Sequence, residues 1–454
     1  MESHLFIAKC RNDWSHSDFN LTDSHILLAL SGGVDSMVLF DVLNQMKDEL
    51  NIKVSCAHIN HHLREASDLD QNLVEKICLD HKIQLFTLAL NPDHKPTGES
   101  VEAWGRRKRY TFLQEILRDI DGDWIATAHH GDDQIETMLM HLSQGAGPLG
   151  LNGIGKKQGQ IIRPFLSFSK KEIYAYAKEN HIAFREDETN LDLHHPRNYL
   201  RAKVVEPLKT LTPDLVSQFQ TSAQLFSKHN ETLDFFIQNS ISQLDIDCDS
   251  DFVILDKKSL GKFPLLAQSM IIRHLAQNNE IMWRKHHWVD LELFLSKDKT
   301  GAILNLPNGA QILDNRLQLK IRIKKHIALN AIDISLGEKV DNKSFSVQIK
   351  PLETIPVKKH NSNLEFIDAK AIKGKALKIR PWIFGDRFQP LGMMGTQKMS
   401  DFLGKRKVDQ FEKETQCVMT ADDNIIWVCG RQISHKARIK SSTKKAVSLQ
   451  FNWK

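Results

Sequence analysis

Ser31-Gly32-Gly33-Val34-Asp35-Ser36 follows a short apolar run, His25 to Leu30. It precedes a stretch whose Met37, Leu39, Phe40, Val42, Leu43 and Met46 give a broad apolar helical face. Two glycines let the backbone turn sharply and approach a ligand, and free N–H groups at a helix start favour an anion. Ser31 and Ser36 add hydroxyl donors. A carboxylate is out of place in a phosphate cradle unless it faces a metal, so Asp35 implies Mg²⁺. No Gly-x-x-x-x-Gly-Lys-Ser/Thr occurs, which disfavours the Walker-A hydrolases and kinases. Two further polar clusters stand out: His58-Ile59-Asn60-His61-His62-Leu63-Arg64, and His129-His130-Gly131-Asp132-Asp133-Gln134-Ile135-Glu136. Asp133 and Glu136 are three apart and share a helical face; the bland alternative is an acidic helix start favoured by the dipole. A transition-metal site at the histidines is disfavoured, because His58-x-x-His61-His62 lacks the usual helix spacing and no cysteine is near.

Alternating strand-like and helix-like patterns carry these clusters. Strands are expected at 25–30, 53–59, 84–90, 124–128 and 161–165, and helices at about 37–46, from Ser67, at 101–120, at 132–142 and from Ser169, where Ser169 and Glu172 form a capping box. Repeated β-α-β order with apolar strands predicts a doubly wound α/β domain around a parallel sheet. In such sheets ligands bind outside the carboxyl ends of the strands, and all three clusters fall there, so they are expected to share one rim. Residues 215–295 look mainly helical, and short alternating strands follow from about 300. The expected division is 1–215 catalytic, 216–330 a mainly helical middle domain, and 331–454 a small basic α+β domain.

Composition narrows the class. A chain of 454 residues, 41% hydrophobic and 26% charged, argues against extensive disorder and rod-like folds. Six scattered cysteines without a Cys-x-x-Cys pair disfavour zinc-ribbon, iron–sulfur and disulfide-scaffold readings. With no apolar run long enough to span a bilayer and no secretory start, a cytoplasmic protein without membrane contact is expected. Charge is uneven: residues 1–215 are net −7, residues 216–374 net +3 and residues 375–454 net +9. A basic end on an acidic catalytic half predicts a polyanionic partner gripped away from the chemistry; the alternative is a solvated basic surface.

The Ser31–Ser36 segment resembles the pyrophosphatase loop of the N-type ATP pyrophosphatases, or PP-loop superfamily. Within that superfamily Asn60 to Arg64 and Ala128 to Thr137 resemble the tRNA(Ile)-lysidine synthetases. So do Arg163-Pro164-Phe165, Asp187-Glu188-Thr189-Asn190 and Arg197-Asn198-Tyr199-Leu200-Arg201. Gly385-Asp386-Arg387, Lys398 to Leu403 and Ile426 to Gly430 are similar to that family's last domain. The likeness is weakest over 215–375. One departure is that Val408 to Asn424 holds neither the Arg nor the Pro that the family often carries there.

The resemblance implies a ligase that adenylates the wobble cytidine of a CAU-anticodon isoleucine tRNA with ATP. The ε-amine of L-lysine then displaces AMP. By the same resemblance Ser31, Gly32, Gly33, Val34, Asp35, Ser36, Asn60, His61, Arg64 and Arg106 hold ATP, with Mg²⁺ at Asp35. Asp133 and Glu136 bind the lysine, and His129 orients a carboxylate or the adenylate. Arg197 and Arg201, four apart, are expected to share a helix face and to clamp ATP or the tRNA backbone; Arg387, Lys398, Lys405 and Arg406 are expected to contact the tRNA, and the family admits a homodimer. The rivals are a tRNA thiolase, which leans on cysteines absent from these clusters, a small-molecule synthetase of the superfamily, which has no use for the basic end, and a non-catalytic RNA-binding protein.

Overall fold

A computed structural model describes residues 3–60, 67–186, 192–248, 251–277, 283–323, 330–342, 344–355 and 363–453. His61 and Arg64, and the Asp187–Asn190 motif, lie outside the described residues. The chain forms two compact units, Met1–Phe236 and Ile237–Lys454.

The first unit is built on a six-stranded sheet. In chain order the strands are β1 (His25–Ala29), β2 (Lys53–Asn60), β3 (Leu85–Ala89), β4 (Trp124–Ala126), β5 (Lys157–Gln158) and β6 (Ile161–Ile162). Their spatial order is β3-β2-β1-β4-β6-β5, parallel except for the β5–β6 edge pair. Its helices are α1 (Ser3–Ser15), α2 (Val34–Leu50), α3 (Ser67–Asp80), α4 (Val101–Asp119), α5 (Gly131–Ser143), α6 (Lys170–Glu179), α7 (Pro196–Leu200) and α8 (Glu206–Leu211), and α9 (Leu215–Ser242) begins in this unit and ends beyond Phe236. A single π-helical turn, Arg201–Val205, joins α7 to α8.

Alternation along β1 sorts the core. Leu27, with Ala57 and Ile125 on the neighbouring strands, packs on Leu113 and Leu117 of α4. Ile26 and Leu28 face the other way, into a cluster with Val38, Val42 and Leu43 of α2 and Phe6 of α1. Each such buried side chain contributes roughly 1.5–3 kcal/mol. Ser169 caps α6 as its spacing predicts, accepting from the Glu172 N–H while Glu172 accepts from the Ser169 N–H. Ser67 is itself helical in α3, so it is not the cap that its spacing predicts.

The second unit holds a five-stranded antiparallel sheet over residues 246–322 together with helices Leu265–Leu275 and Lys285–Lys297. Two of its strands, Ile246–Cys248 and Phe252–Asp256, interrupt a stretch whose pattern reads as helical. Beyond it, a five-stranded and a four-stranded antiparallel sheet share a core of Phe345, Ile349, Ile379, Met419, Trp427 and Phe451. Lys320 pairs with Asp409 at 3.2 Å and Arg322 with Glu414 at 2.8 Å, tying the first of these sheets to the last part of the chain. No described helix is long and apolar enough to cross a membrane.

Candidate active site

Strand order reverses between β1 and β4, and their carboxyl ends open onto a cavity of about 520 Å³. Ser31, Asp35 and Ser36 reach it from the turn after β1, Asn60 from the end of β2, His129 and Asp133 from the segment after β4, and Arg197 from α7. The described parts of the three clusters, Ser31–Ser36, His58–Asn60 and His129–Asp133, therefore meet at one cavity.

The turn after β1 is held by its own hydroxyls. Ser36 Oγ accepts from the Ser31 N–H at 3.1 Å and donates to the Gly33 carbonyl at 3.0 Å. Gly32 has φ +88, a left-handed conformation, and packs beside Asp70 of α3, where a Cβ would meet the Asp70 carbonyl oxygen at 3.4 Å. Its own carbonyl accepts from the Arg185 N–H at 3.0 Å, and Arg185 Nε donates to Asp70 at 2.8 Å. Gly33 is the N-cap of α2 without a side-chain cap, so the helix N-terminus begins at Val34 with its N–H groups available to an anion.

Asp35 does not stand alone. Lys170, the first residue of α6, donates to its two carboxylate oxygens at 2.7 and 2.5 Å. The buried His130 ring lies 3.8 Å from Asp35 and 3.7 Å from Asp133. Among the described residues no three His, Cys, Asp or Glu side chains converge as a metal cage. One carboxylate still suits Mg²⁺, which keeps most of its shell as water and phosphate oxygen.

The three acids of α5 divide their work. Asp132 braces the fold, accepting from the Lys170 N–H at 2.8 Å and from Lys209 Nζ. Asp133 accepts from the His130 N–H at 2.9 Å and faces the cavity. Burial works to raise its carboxyl, but the His130 and His129 rings and that N–H outweigh it, so Asp133 sits below the usual carboxylate range. Glu136 is fully buried and does not line the cavity; Arg201 grips it with Nε at 2.6 Å and Nη2 at 3.2 Å. Burial pushes the Glu136 carboxyl up, against the pull of that guanidinium.

His129 Nδ1 bonds Thr127 Oγ1 at 2.9 Å. Burial depresses its ring to about 4, opposed by Asp133 and reinforced by Arg163, Arg106 and Arg197, so it is neutral near pH 7. Arg197 and Arg201, predicted to share a helix face, are divided: Arg197 reaches the cavity and bonds Thr137, whereas Arg201 turns to Glu136. Arg106 is exposed, its guanidinium 5.0 Å from the Tyr110 ring centre, while Arg109 lines the cavity with its pKa lowered by burial. Sequence reasoning passed over Arg109, although it lies on the same i+4 row as the buried Gly105, Leu113 and Leu117.

In the second unit Arg387 and Lys398 are directly opposite one another on a two-stranded ladder. Lys405 and Arg406 are exposed on and just after the helix that follows, Met399–Lys405, with Arg406 stacked 4.0 Å over Phe402.

Residues 7–208 match the PP-loop domain family, and residues 377–453 match the family described as the TilS substrate C-terminal domain. A tRNA(Ile)-lysidine synthase of Clostridium acetobutylicum is 27% identical over 453 residues, covering 94% of this chain and 95% of the relative. The protein of the same name from Parabacteroides distasonis is 29% identical over 442 residues, covering 94% and 96%. The one from Bacillus subtilis is 27% identical over 455 residues, covering 96% and 95%.

Proposed function

The chain belongs to the tRNA(Ile)-lysidine synthase family of PP-loop enzymes, and we propose that it joins L-lysine to C2 of the wobble cytidine of the CAU-anticodon isoleucine tRNA, in the cytoplasm. ATP is split to AMP and pyrophosphate in the process, and the product reads AUA instead of AUG. The observation that supports this reading is the cavity at the β1–β4 switch point, lined both by residues of the Ser31–Ser36 turn and by Asp133.

In this reading the Ser31–Ser36 turn and the start of α2 cradle the triphosphate, with Asn60, His61, Arg64, Arg106 and Arg109 around the nucleotide. The α-phosphorus then faces the cytidine O2. Asp35 is the residue that would hold a Mg²⁺ accompanying the phosphates, and such an ion would supply charge neutralisation for the departing pyrophosphate. Lys170 must release Asp35 for this and becomes a phosphate ligand. Asp133 and Glu136 take the lysine. The amine must lose a proton before it attacks C2, and Glu136, raised by burial, is the group suited to accept it. Neutral His129 orients the adenylate without adding positive charge. Arg201 would release Glu136 and, with Arg197, contact the tRNA.

We assign catalysis to residues 1–215 and RNA gripping to 331–454, with 216–330 between them. Two like charges directly opposed, as Arg387 and Lys398 are, destabilise a ladder unless an anion neutralises them. With Lys405 and Arg406 they suit a phosphodiester backbone. A thiolase reading is opposed by the cysteines: none lines the cavity, and only Cys248, in the other unit, is exposed. Pyrophosphate release that requires tRNA, with labelled lysine retained in the RNA, tests the assignment.

A further inference from the structure

The second unit carries a cavity of about 810 Å³ that no step above uses. Its walls are the short helix and turn at 369–377 and the segment leading into the strand Ala446–Trp453. Five lysines line it: Lys370, Lys373, Lys375, Lys444 and Lys445. All five are exposed, and none forms an ion pair among the described residues.

The neighbouring acids do not balance this charge. Asp368 is already engaged, accepting from the Lys370 N–H at 2.9 Å and from the Thr443 hydroxyl at 2.7 Å. Asp333 is exposed and lies 3.9 Å from Lys378. The lining between the lysines is apolar, with Ile334, Ile372 and Leu377 buried and Leu336 half exposed. The walls are fixed to each other by that Thr443–Asp368 bond and by the Ala369 N–H, which donates to the Lys445 carbonyl at 3.0 Å. Gly374, at φ +70, makes the turn that separates Lys373 from Lys375.

We propose that this lysine-lined cavity seats an unpaired nucleotide of the substrate RNA, the base against Leu336 and the apolar floor and the flanking phosphates on the lysines. The inference rests on the RNA substrate proposed above. A continuous duplex keeps its bases stacked inside and offers only phosphates and sugars to such a surface, whereas unpaired nucleotides can turn a base inward. An acidic peptide would satisfy the lysines but leave the apolar floor without a partner.

The test uses the full chain with a short labelled single-stranded RNA and a blunt duplex of the same sequence. Replacing Lys444 and Lys445 together by alanine is expected to weaken single-strand binding and flatten the slope of log K against log salt by about 1.4, the value for two lost phosphate contacts. Leu336→Asn is expected to weaken the single strand about fivefold and leave the duplex unchanged. Unaltered single-strand binding in either variant overturns the proposal. So does an equal loss for both RNAs in Leu336→Asn, or poly-L-glutamate competing as well as the single strand with the same dependence on Leu336. Lysine incorporation by the wild-type protein is measured alongside. Incorporation with unchanged binding in the variants removes the cavity alone, and failure to incorporate lysine removes the functional reading.

Discussion

Arg201 and Glu136 form a two-point ion pair in which the glutamate is fully buried and the arginine half exposed. The glutamate assigned to the substrate's cationic amine thus already holds a cation of the protein's own. Removing one partner of a buried pair strands the other, whereas removing both does not. Arg201→Met is expected to lower unfolding free energy by about 3 kcal/mol. Arg201→Met/Glu136→Gln should cost clearly less than the sum of the single changes in urea titrations. Simple additivity would mean that the pair is not formed in solution.

Lys170 and Asp35 define the second prediction. If the ammonium holds the carboxylate until the metal–nucleotide arrives, Lys170→Met leaves Asp35 uncontested. The Mg²⁺ concentration for half-maximal pyrophosphate release should then fall about tenfold, the equivalent of 1.4 kcal/mol, even if the maximal rate drops. An unchanged or higher Mg²⁺ requirement contradicts this role.

The pH dependence of stability follows from His129. Its folded pKa of about 4 lies below the ordinary 6.5, so below pH 6.5 the unfolded chain binds a proton that the folded one refuses. Stability from this group is complete above pH 6.5 and declines as pH falls toward 4. His129→Gln should therefore lose less stability than the wild type between those limits, as read by urea midpoints. Parallel curves would place His129 in contact with water.

Gly131 is required by space. A Cβ there would lie 2.2 Å from Val216 Cγ1 and 3.1 Å from the Phe168 carbonyl oxygen. Gly131→Ala should cost about 1–3 kcal/mol through overpacking, and Val216→Ala in the same chain should recover part of it. Melting temperatures of the wild type and the two variants decide the matter.

The opposed cations Arg387 and Lys398 should each contribute to the salt dependence of tRNA binding. Changing both to alanine is expected to flatten the slope of log K against log salt by about 1.8 on duplex RNA. An unaltered slope would remove them from the interface.

Much of this site is legible in the chain because its parts lie at strand ends. The Ser31–Ser36 turn and the His129–Glu136 segment each follow an apolar run, and a parallel sheet brings such ends to one rim. What the sequence conceals depends on tertiary contact. Lys170 is 135 residues from Asp35, and no local pattern pairs them. His130 reads as one of two adjacent histidines, yet only the fold sets its ring between Asp35 and Asp133. In the run Arg106 to Arg109 the charges are alike, and only the buried i+4 row of α4 singles out Arg109. The strands at 246–248 and 252–256 are too short to interrupt a helical pattern visibly.

Lysine ligation is read most directly as retention of labelled lysine in CAU-anticodon isoleucine tRNA, with pyrophosphate followed in the same reaction. Pyrophosphate release is expected only with tRNA, together with stable lysine incorporation, and both are expected to be lost in Asp35→Asn. Asp133→Asn should lose incorporation while lysine binding weakens. Pyrophosphate release without incorporated lysine, or lysine incorporated without ATP cleavage, would contradict ATP-dependent lysine ligation.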